Sequence, residues 1–228
     1  MKLYVVIPAY NECETIGEIV DETRQVLLSM GVEHEIVVVD DASYDGTGEV
    51  AESRGATVLR NHGNHGKGYS IRSGLTYAKD GFVVTIDGDG NHSPSDLPRV
   101  LKPLMVGEAE AVVGSRFLAQ RPKMPWIKLF GAMGINILVL AITGRYLTDV
   151  PSGFRAYSPK ALSGLNLDAE GFEVEAEMTV EMLRKRCRFV EVPVSYFERA
   201  FGVSRIHILK VALRILVTAI RKGLRRYA

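Results

Sequence analysis

The fold is encoded most clearly in residues 82–96, which read FVVTIDGDGNHSPSD. Val83 to Ile86 is a short apolar run, typical of a buried strand. Ser93 suits a helix N-cap and Pro94 suits the first helical position, so a helix is predicted to begin there. Residues 87–92 therefore lie in a strand-to-helix loop, and such loops form the ligand crevice of open α/β sheets.

The same alternation of β-branched runs and helical patterns continues outward through the first half of the chain. It indicates a mainly parallel, twisted sheet flanked by helices, so we predict an α/β fold of the Rossmann-like kind. The predicted strands are Leu3–Ile7, Glu35–Val39, Ala56–Arg60, Phe82–Ile86 and Ala111–Gly114, and the predicted helices are Ile16–Ser29, Thr47–Ser53, Gly68–Ala78 and Ser95–Leu104.

The composition is that of a folded protein without a nucleic-acid partner. The 228 residues are 46% hydrophobic and 24% charged, which excludes disordered, collagen-like and coiled-coil classes. A net charge of +1 gives no general attraction to polyanions. Cys13 and Cys187 lack metal-type spacing, and residues 1–7 do not resemble a secretion signal, so a cytoplasmic location is expected.

Polar residues cluster directly after the first two predicted strands. Residues 8–12 read PAYNE, and Asp40 and Asp41 open a turn-rich segment after the second strand. Because the ends of adjacent parallel strands converge, Tyr10 could stack on a base while Glu12 and Asp41 accept hydrogen bonds from base or ribose. Both segments also suit simple capping turns, because Asp, Ser, Gly and Thr favour helix starts.

The loop after the fourth predicted strand has the composition of a divalent-cation site. Asp87, Asp89 and Asn91 offer two carboxylates and an amide oxygen, which suit Mg²⁺ or Mn²⁺. Such an ion, shared with substrate phosphates, would neutralise the charge on a departing diphosphate. Residues 63–68 do not form a P-loop, because no Ser or Thr follows Lys67, although their glycines could let the backbone approach a ligand.

In this order, the motifs resemble those of family 2 glycosyltransferases of GT-A fold, most closely the dolichyl-phosphate mannose or glucose synthase branch. The resemblance extends over nearly the whole chain, from Val5 to about Ile206. The matching segments are Ile7–Glu12, Val37–Asp41 with Ser43 and Asp45–Thr47, Asp87–Asp89 with Asn91, Gly114–Phe117, Thr148–Asp149, Ser152–Arg155, Gly171–Glu173, Glu191–Tyr196, Glu198–Arg199 and Gly202–Arg205.

The resemblance implies an inverting enzyme that moves mannose or glucose from GDP-mannose or UDP-glucose to a dolichyl or other polyprenyl phosphate, with Mg²⁺ or Mn²⁺. Since a phosphate acceptor is already anionic, positioning and electrostatics would dominate catalysis, with arginines binding phosphate oxygens. The implied nucleotide-sugar contacts are Pro8, Ala9, Tyr10, Glu12, Val39, Asp41, Asp87, Gly88, Asp89 and Arg116; the implied metal ligands are Asp87, Asp89 and Asn91; the implied acceptor-phosphate contacts are Arg116, Arg199, Ser204 and Arg205; and Asp89, Arg116 and Arg199 would be catalytic.

A polyprenyl acceptor lies in a bilayer, yet no transmembrane helix is predicted, because the uncharged stretch Leu129–Gly144 is shorter than about 20 residues. We expect residues 1–205 to form the catalytic domain and residues 206–228 to form a basic amphipathic helix on the cytoplasmic membrane surface. A packed terminal helix is the alternative. Trp126–Ile142 could be a second interfacial helix, a core helix or an oligomer interface, and a separate membrane subunit stays open.

Two other functions fit the same residues. The first is a family 2 transferase with a glycan or other hydroxyl acceptor, which would need a general base such as Asp149 or Glu173. The second is a catalytically silent, membrane-associated subunit that binds nucleotide. The paired carboxylates of Asp87 and Asp89 argue against the second.

Overall fold

Strands alternate with helices along the chain, as a computed structural model shows for residues 2–78, 80–119, 124–197, 213–214 and 216–217. A 3₁₀ turn at Pro94–Asp96 precedes the fourth helix. The strands are β1 Leu3–Ala9, β2 His34–Asp40, β3 Thr57–Arg60, β4 Phe82–Thr85, β5 Ala111–Ser115, β6 Arg155–Tyr157 and β7 Phe189–Pro193. The helices are α1 Cys13–Ser29, α2 Thr47–Ser53, α3 Lys67–Tyr77, α4 Leu97–Met105, α5 Arg116–Ala119, α6 Trp126–Thr143, α7 Pro159–Leu162 and α8 Val174–Arg184.

The strands form one mixed sheet in the order β3-β2-β1-β4-β6-β5-β7. Its pairs are parallel except those made by β6, which runs antiparallel to both β4 and β5. Val84 of β4 pairs with Val5 on one side and with Ala156 of β6 on the other. The antiparallel strand β6 therefore joins the first half of the sheet to the second.

Side chains of β1 alternate between the two faces of the sheet. Val5 and Ile7 pack with residues of α1 and α4 on one face, and Val6 packs on the other face, against α3. Farther along that second face, α6 and α8 cover residues of β5 and β6, including Val113 and Tyr157. Burial on both faces explains why the central strands are almost continuously apolar.

The predicted elements of the first half are confirmed. All five predicted strands and all four predicted helices are present, and their ends differ from the predicted ends by at most three residues. Ser93 is an N-cap as predicted, since its Oγ accepts the Ser95 N–H at 3.2 Å. Five elements of the second half, α5, α7, α8, β6 and β7, were not predicted.

Helix α6 differs from the expectation for its segment, which gave no membrane-spanning helix because the uncharged stretch Leu129–Gly144 is short. It begins at Trp126, before the uncharged stretch, and its 18 residues have a mean hydropathy of 1.8 with only 22% buried. It is the one helix within the described residues that is long and apolar enough, by length and composition, to cross a membrane. Core helices of soluble proteins pass the same test, but they are mostly buried.

The predicted C-terminal helix is described at four residues only. Leu213, Arg214, Leu216 and Val217 are helical and exposed. The rest of residues 206–228, together with Arg199, Ser204 and Arg205, lies outside the described residues.

Candidate active site

The carboxyl ends of β1, β2 and β4 meet at one edge of the sheet. Pro8 and Ala9 end β1, which pairs in parallel with both neighbours. β2 and β3 lie on one side of β1 and β4 lies on the other, and such a switch point is where open α/β sheets bind ligands. Thr15 Oγ1 donates to the Gly88 carbonyl oxygen at 2.7 Å, which ties the loop after β4 to α1.

The loop after β1 is held against the loop after β2. Three backbone N–H groups at the start of α1, which have no partners within the helix, donate to side chains of the second loop. Tyr10 packs edge-on against the exposed ring of Tyr44, with centroids 6.4 Å apart. The three bonds run from Asn11, Glu12 and Cys13 to Ser43 Oγ, Thr47 Oγ1 and Asp45 Oδ2, at 2.9, 2.8 and 3.1 Å.

Asp41 is buried and supports the glycine-rich loop that precedes α3. Its carboxylate accepts hydrogen bonds from Asn61 Nδ2 at 2.8 Å and from the backbone N–H groups of His65 at 3.0 Å and Gly66 at 2.7 Å. The Val39 side chain is fully buried against α3, so only its main chain remains for a ligand. The two predicted nucleoside contacts therefore also serve structural roles.

Asp87 follows β4 closely and is paired with a lysine. Its Oδ1 lies 2.6 Å from Lys67 Nζ, and the same ammonium lies 2.5 Å from Glu175 Oε1 of α8. Burial raises the pKa of Asp87, but the attraction of Lys67 and other nearby cations outweighs it, so the pKa lies below the usual range. A negative charge is thus maintained at the end of β4.

Asp89 and Asn91 form a local pair beside Asp87. The Asp89 carboxylate accepts the Asn91 N–H at 3.1 Å and Asn91 Nδ2 at 2.8 Å. Asn91 Oδ1 is buried without a hydrogen-bond partner in the described part of the chain, which is unfavourable unless a donor or cation satisfies it. Oxygen atoms of Asp87, Asp89 and Asn91 therefore fit a hard divalent cation, although the described residues contain no cluster of three or more His, Cys, Asp or Glu suited to a metal.

Arg116 is fixed by a fully buried carboxylate. Its Nε and Nη2 each lie 2.7 Å from an oxygen of Asp149, and its backbone N–H donates to Asp149 at 2.9 Å. Glu191 holds this loop by accepting hydrogen bonds from the backbone N–H groups of Thr148 and Asp149. The Tyr196 ring centroid lies 5.5 Å from the guanidinium carbon. Burial alone would lower the pKa of Arg116, but Asp149 raises it, so the guanidinium stays charged.

His92 packs against Tyr196, the residue whose ring lies near the Arg116 guanidinium. Its ring is 3% exposed and packs against Phe154 and Tyr196, with centroid distances of 5.6 and 6.2 Å. Burial, together with the charge of Arg116, lowers the pKa of His92 to about 4. The imidazole is therefore neutral near pH 7 and acts as an aromatic support for Tyr196.

A comparison of the sequence with known families decides the identity of the chain. Residues 4–165 match the family described as Glycosyl transferase family 2. The chain belongs to this family. The resemblance predicted from the motifs is thus confirmed, and the protein is a glycosyltransferase.

Relatives of this glycosyltransferase include enzymes named for lipid-phosphate acceptors. The undecaprenyl-phosphate mannosyltransferase of Micrococcus luteus is 33% identical over 223 residues, a match to 90% of this chain and 88% of the relative. The UDP-N-acetylglucosamine–dolichyl-phosphate N-acetylglucosaminyltransferase of Methanococcus voltae is 30% identical over 229 residues, with 89% and 88% covered.

Solved structures confirm the GT-A fold of this glycosyltransferase. Glucosyl-3-phosphoglycerate synthase from Mycobacterium tuberculosis, in complex with Mn²⁺, uridine diphosphate and phosphoglyceric acid, superposes with a TM-score of 0.79. The two chains are 22% identical, and the match covers 100% of this chain and 80% of the other. At this identity the likeness establishes the fold alone.

Motif reasoning missed two charged residues of the glycosyltransferase site. No ion pair was predicted for Lys67, because the P-loop pattern around it is incomplete. Its position between two glycines at the start of a helix was nevertheless a usable signal. Glu175 gave a weaker signal in the sequence, because it is one of several acidic residues along α8. The structure shows that these acids are buried. Lys67 contacts Asp87, and Glu175 contacts Lys67, in both cases across the fold.

Gly153 is the third missed residue, and it yields a prediction for the glycosyltransferase. A Cβ at this position would come 2.4 Å from Asp87 Oδ2. We expect Gly153→Ala to displace the Asp87 carboxylate and to lower kcat/KM for sugar transfer about 10²-fold, because small misplacements of reacting groups are costly. Initial rates measure this effect, and thermal melting separates it from unfolding. Wild-type kcat/KM in a folded Gly153→Ala variant would contradict the prediction.

Proposed function

We propose that this glycosyltransferase is a metal-dependent, inverting enzyme that moves mannose or glucose from GDP-mannose or UDP-glucose to dolichyl or another polyprenyl phosphate at the cytoplasmic membrane face. One observation carries the proposal: an exposed apolar helix is fixed to the loop that holds Arg116. A polyprenyl phosphate has the two matching parts, an apolar chain and a phosphate.

The exposed face of α6 is suited to lipid. Five of its large exposed side chains repeat every three or four residues and so form one stripe along the helix. The opposite face, which includes Ile135 and Val139, is buried against the protein. The stripe consists of Trp126, Phe130, Met133, Ile137 and Leu140, which are 70, 62, 46, 58 and 37% exposed.

The lipid-facing helix is joined directly to the arginine site. Asn136, on the buried side of α6, donates to the Thr148 carbonyl oxygen at 2.7 Å and accepts the Val150 N–H at 3.0 Å. These two residues flank Asp149, the carboxylate that orients Arg116. A phosphate whose chain lies along α6 would therefore arrive beside a fixed guanidinium, which binds phosphate oxygens strongly.

The donor would bind at the switch point of the sheet. The nucleoside would contact Pro8, Ala9, Tyr10, Glu12, Asp41 and the main chain of Val39, beside Gly88. Asp87, Asp89 and Asn91 would hold Mg²⁺ or Mn²⁺, which supplies neutralisation of the diphosphate charge. Structural neighbours were solved with Mn²⁺ or Mg²⁺ and uridine diphosphate, which supports the choice of ion.

A phosphate acceptor also agrees with the state of the two candidate general bases. Asp149 is bound to Arg116 on both oxygens, and Glu173 pairs with Arg214 at 3.2 Å. Neither carboxylate is placed to remove a proton from a hydroxyl group, whereas a phosphate monoester needs no strong base. We further propose that Arg199, Ser204 and Arg205 contact the acceptor phosphate and that residues 206–228 bind the membrane surface.

The test is release of nucleoside diphosphate from GDP-mannose, UDP-glucose and related donors. Each donor is supplied with polyprenyl phosphate in vesicles, polyprenol without phosphate, or glycerol 3-phosphate without a lipid chain, in Mn²⁺, Mg²⁺ or EDTA. We expect release to require the lipid phosphate and the metal. Equal release with a soluble acceptor, or full release in EDTA, would contradict the proposal.

A paired substitution tests the role of α6 in the same assay. Phe130→Glu with Ile137→Glu should raise KM for polyprenyl phosphate at least tenfold, because charges on the stripe oppose its insertion among lipid. Leu28→Glu with Met105→Glu is the matched control, since both residues are exposed on helices α1 and α4. An equal change of KM in both pairs would contradict a specific role for α6.

A further inference from the structure

A buried lysine holds the carboxylate that the proposed metal site needs. The Lys67 side chain is 12% exposed, and its ammonium lies 2.6 Å from Asp87 Oδ1 and 2.5 Å from Glu175 Oε1. Burial alone would lower the pKa of Lys67, but the two carboxylates raise it above its usual range. The ammonium therefore stays charged and is shared between the carboxyl groups of Asp87 and Glu175.

The backbone places this lysine firmly. Lys67 is the first residue of α3, and the following N–H, of Gly68, donates to the Glu170 carbonyl oxygen at 2.7 Å. A Cβ at Gly68 would lie 2.4 Å from the Ala169 carbonyl oxygen, so only glycine permits this approach. The two segments are in direct contact, and the ammonium is seated between Asp87 and α8.

Two cations and two carboxyl groups meet around Lys67 before any ligand arrives. The cations are Lys67 and Arg155, and the carboxyl groups are those of Asp87 and Glu175, of which burial raises the pKa of Glu175. Arg155 is 1% exposed and donates to neutral oxygens, among them Thr179 Oγ1. The anions of this largely buried group thus do not outnumber its cations, and an added divalent cation would bring charge that nothing there compensates. The negative charge of a nucleoside diphosphate would offset it.

We propose that Lys67 is a resident cation that competes with the divalent metal for Asp87, so that the metal binds tightly only together with the nucleoside diphosphate. Glu175 is the positioning residue that retains the ammonium when the metal takes Asp87. The inference rests on the proposed metal-dependent function and deepens it, because it makes binding of metal and donor mutually dependent.

The test measures binding of Mn²⁺ by the electron paramagnetic resonance signal of the free ion, with and without GDP or UDP. In the wild-type enzyme we expect the diphosphate to tighten Mn²⁺ binding at least tenfold. Lys67→Met should bind Mn²⁺ alone at least tenfold more tightly than the wild type and should lose most of the effect of the diphosphate. Lys160→Met is the matched control, because Lys160 is exposed and pairs with Glu110 at 2.6 Å, away from Asp87.

A second variant separates local competition from net charge. Lys67→Met with Glu175→Gln removes one basic and one acidic side chain, so the formal net charge is unchanged and Glu175 is not left buried without its partner. We expect this variant also to bind Mn²⁺ alone more tightly. Glu175→Gln by itself leaves the ammonium entirely to Asp87 and should weaken Mn²⁺ binding.

The outcomes distinguish this inference from the proposed function. If both Lys67 variants bind Mn²⁺ as weakly as the wild type while the diphosphate strengthens binding in all proteins, the competition is overturned and the metal site stands. If no protein binds Mn²⁺ under any condition, the proposed metal site is overturned, and the inference with it.

Discussion

Asp89→Asn should lower the rate of sugar transfer about 10³-fold while the protein remains folded. The substitution replaces one of the two carboxylates of the proposed metal site with a neutral amide. Removal of an anionic ligand weakens the ion that would stabilise the leaving diphosphate, and electrostatic stabilisation of this kind is commonly worth 10²–10³ in kcat or more. Initial rates of nucleoside diphosphate release, at saturating Mn²⁺ and donor, give the measurement.

The control for this variant lies at the other end of β4. Asp80 is exposed, and its φ of +68° suits Asn as well as Asp. Asp80→Asn therefore makes the same chemical change without strain and should leave the transfer rate unchanged. A transfer rate of Asp89→Asn within tenfold of the wild type would remove Asp89 from the catalytic machinery.

Arg116→Gln should cost about 3–5 kcal/mol of unfolding free energy and should also abolish transfer. Asp149 is fully buried, and both of its carboxylate oxygens accept hydrogen bonds from the guanidinium. Breaking a buried ion pair from one side leaves an uncompensated charge, which accounts for the size of the loss. Urea denaturation followed by circular dichroism measures the stability, and the transfer assay measures the rate.

The double variant Arg116→Gln with Asp149→Asn separates folding from chemistry. Two amides can hydrogen-bond without a buried charge, so most of the lost stability should return. The transfer rate should stay low, because no guanidinium then faces the acceptor phosphate. Lys160→Gln removes an exposed ammonium from Glu110, whose carboxylate Arg188 also binds, and should cost less than about 1 kcal/mol. Recovery of transfer in the double variant would show that Arg116 has a structural role only.

The strands that could be predicted are those whose sequence reflects burial. β1, β2, β4 and β5 are short runs of apolar residues because helices cover both of their faces, whereas the edge strand β3 is only half-buried. β6 could not be predicted in this way, because it has only three residues and begins with a charged residue, Arg155. The buried guanidinium of Arg155 donates to the carbonyl oxygens of Ser152 and Glu175. β7 carries Glu191 in its centre, where the carboxylate holds the Thr148–Asp149 turn. In the sequence, charged residues of a strand that form their hydrogen bonds inside the protein cannot be distinguished from charged residues of a loop.

In the candidate site too, some residues could be placed from a local sequence pattern and others could not. Tyr10, Asp41 and Asp87 follow predicted strands closely, so the rule that ligands bind at the carboxyl ends of parallel strands was enough to place them. The partners that set their charge state come from distant segments. Glu175 reaches the ammonium of Lys67 across more than one hundred residues of sequence, and such a contact follows from the packing of α8 rather than from any local pattern.

The antiparallel strand β6 also imposes an order of assembly. β1 to β4 come from the first 85 residues and pair only with one another and with β6, so this half can form early during synthesis. β5 gains its neighbours only when residues 155–157 and 189–193 have emerged, and closing such long loops slows folding. Until then the β4 edge is bare and open to pairing with other chains. The half that would bind the nucleotide thus has a different folding history from the half that would receive the acceptor.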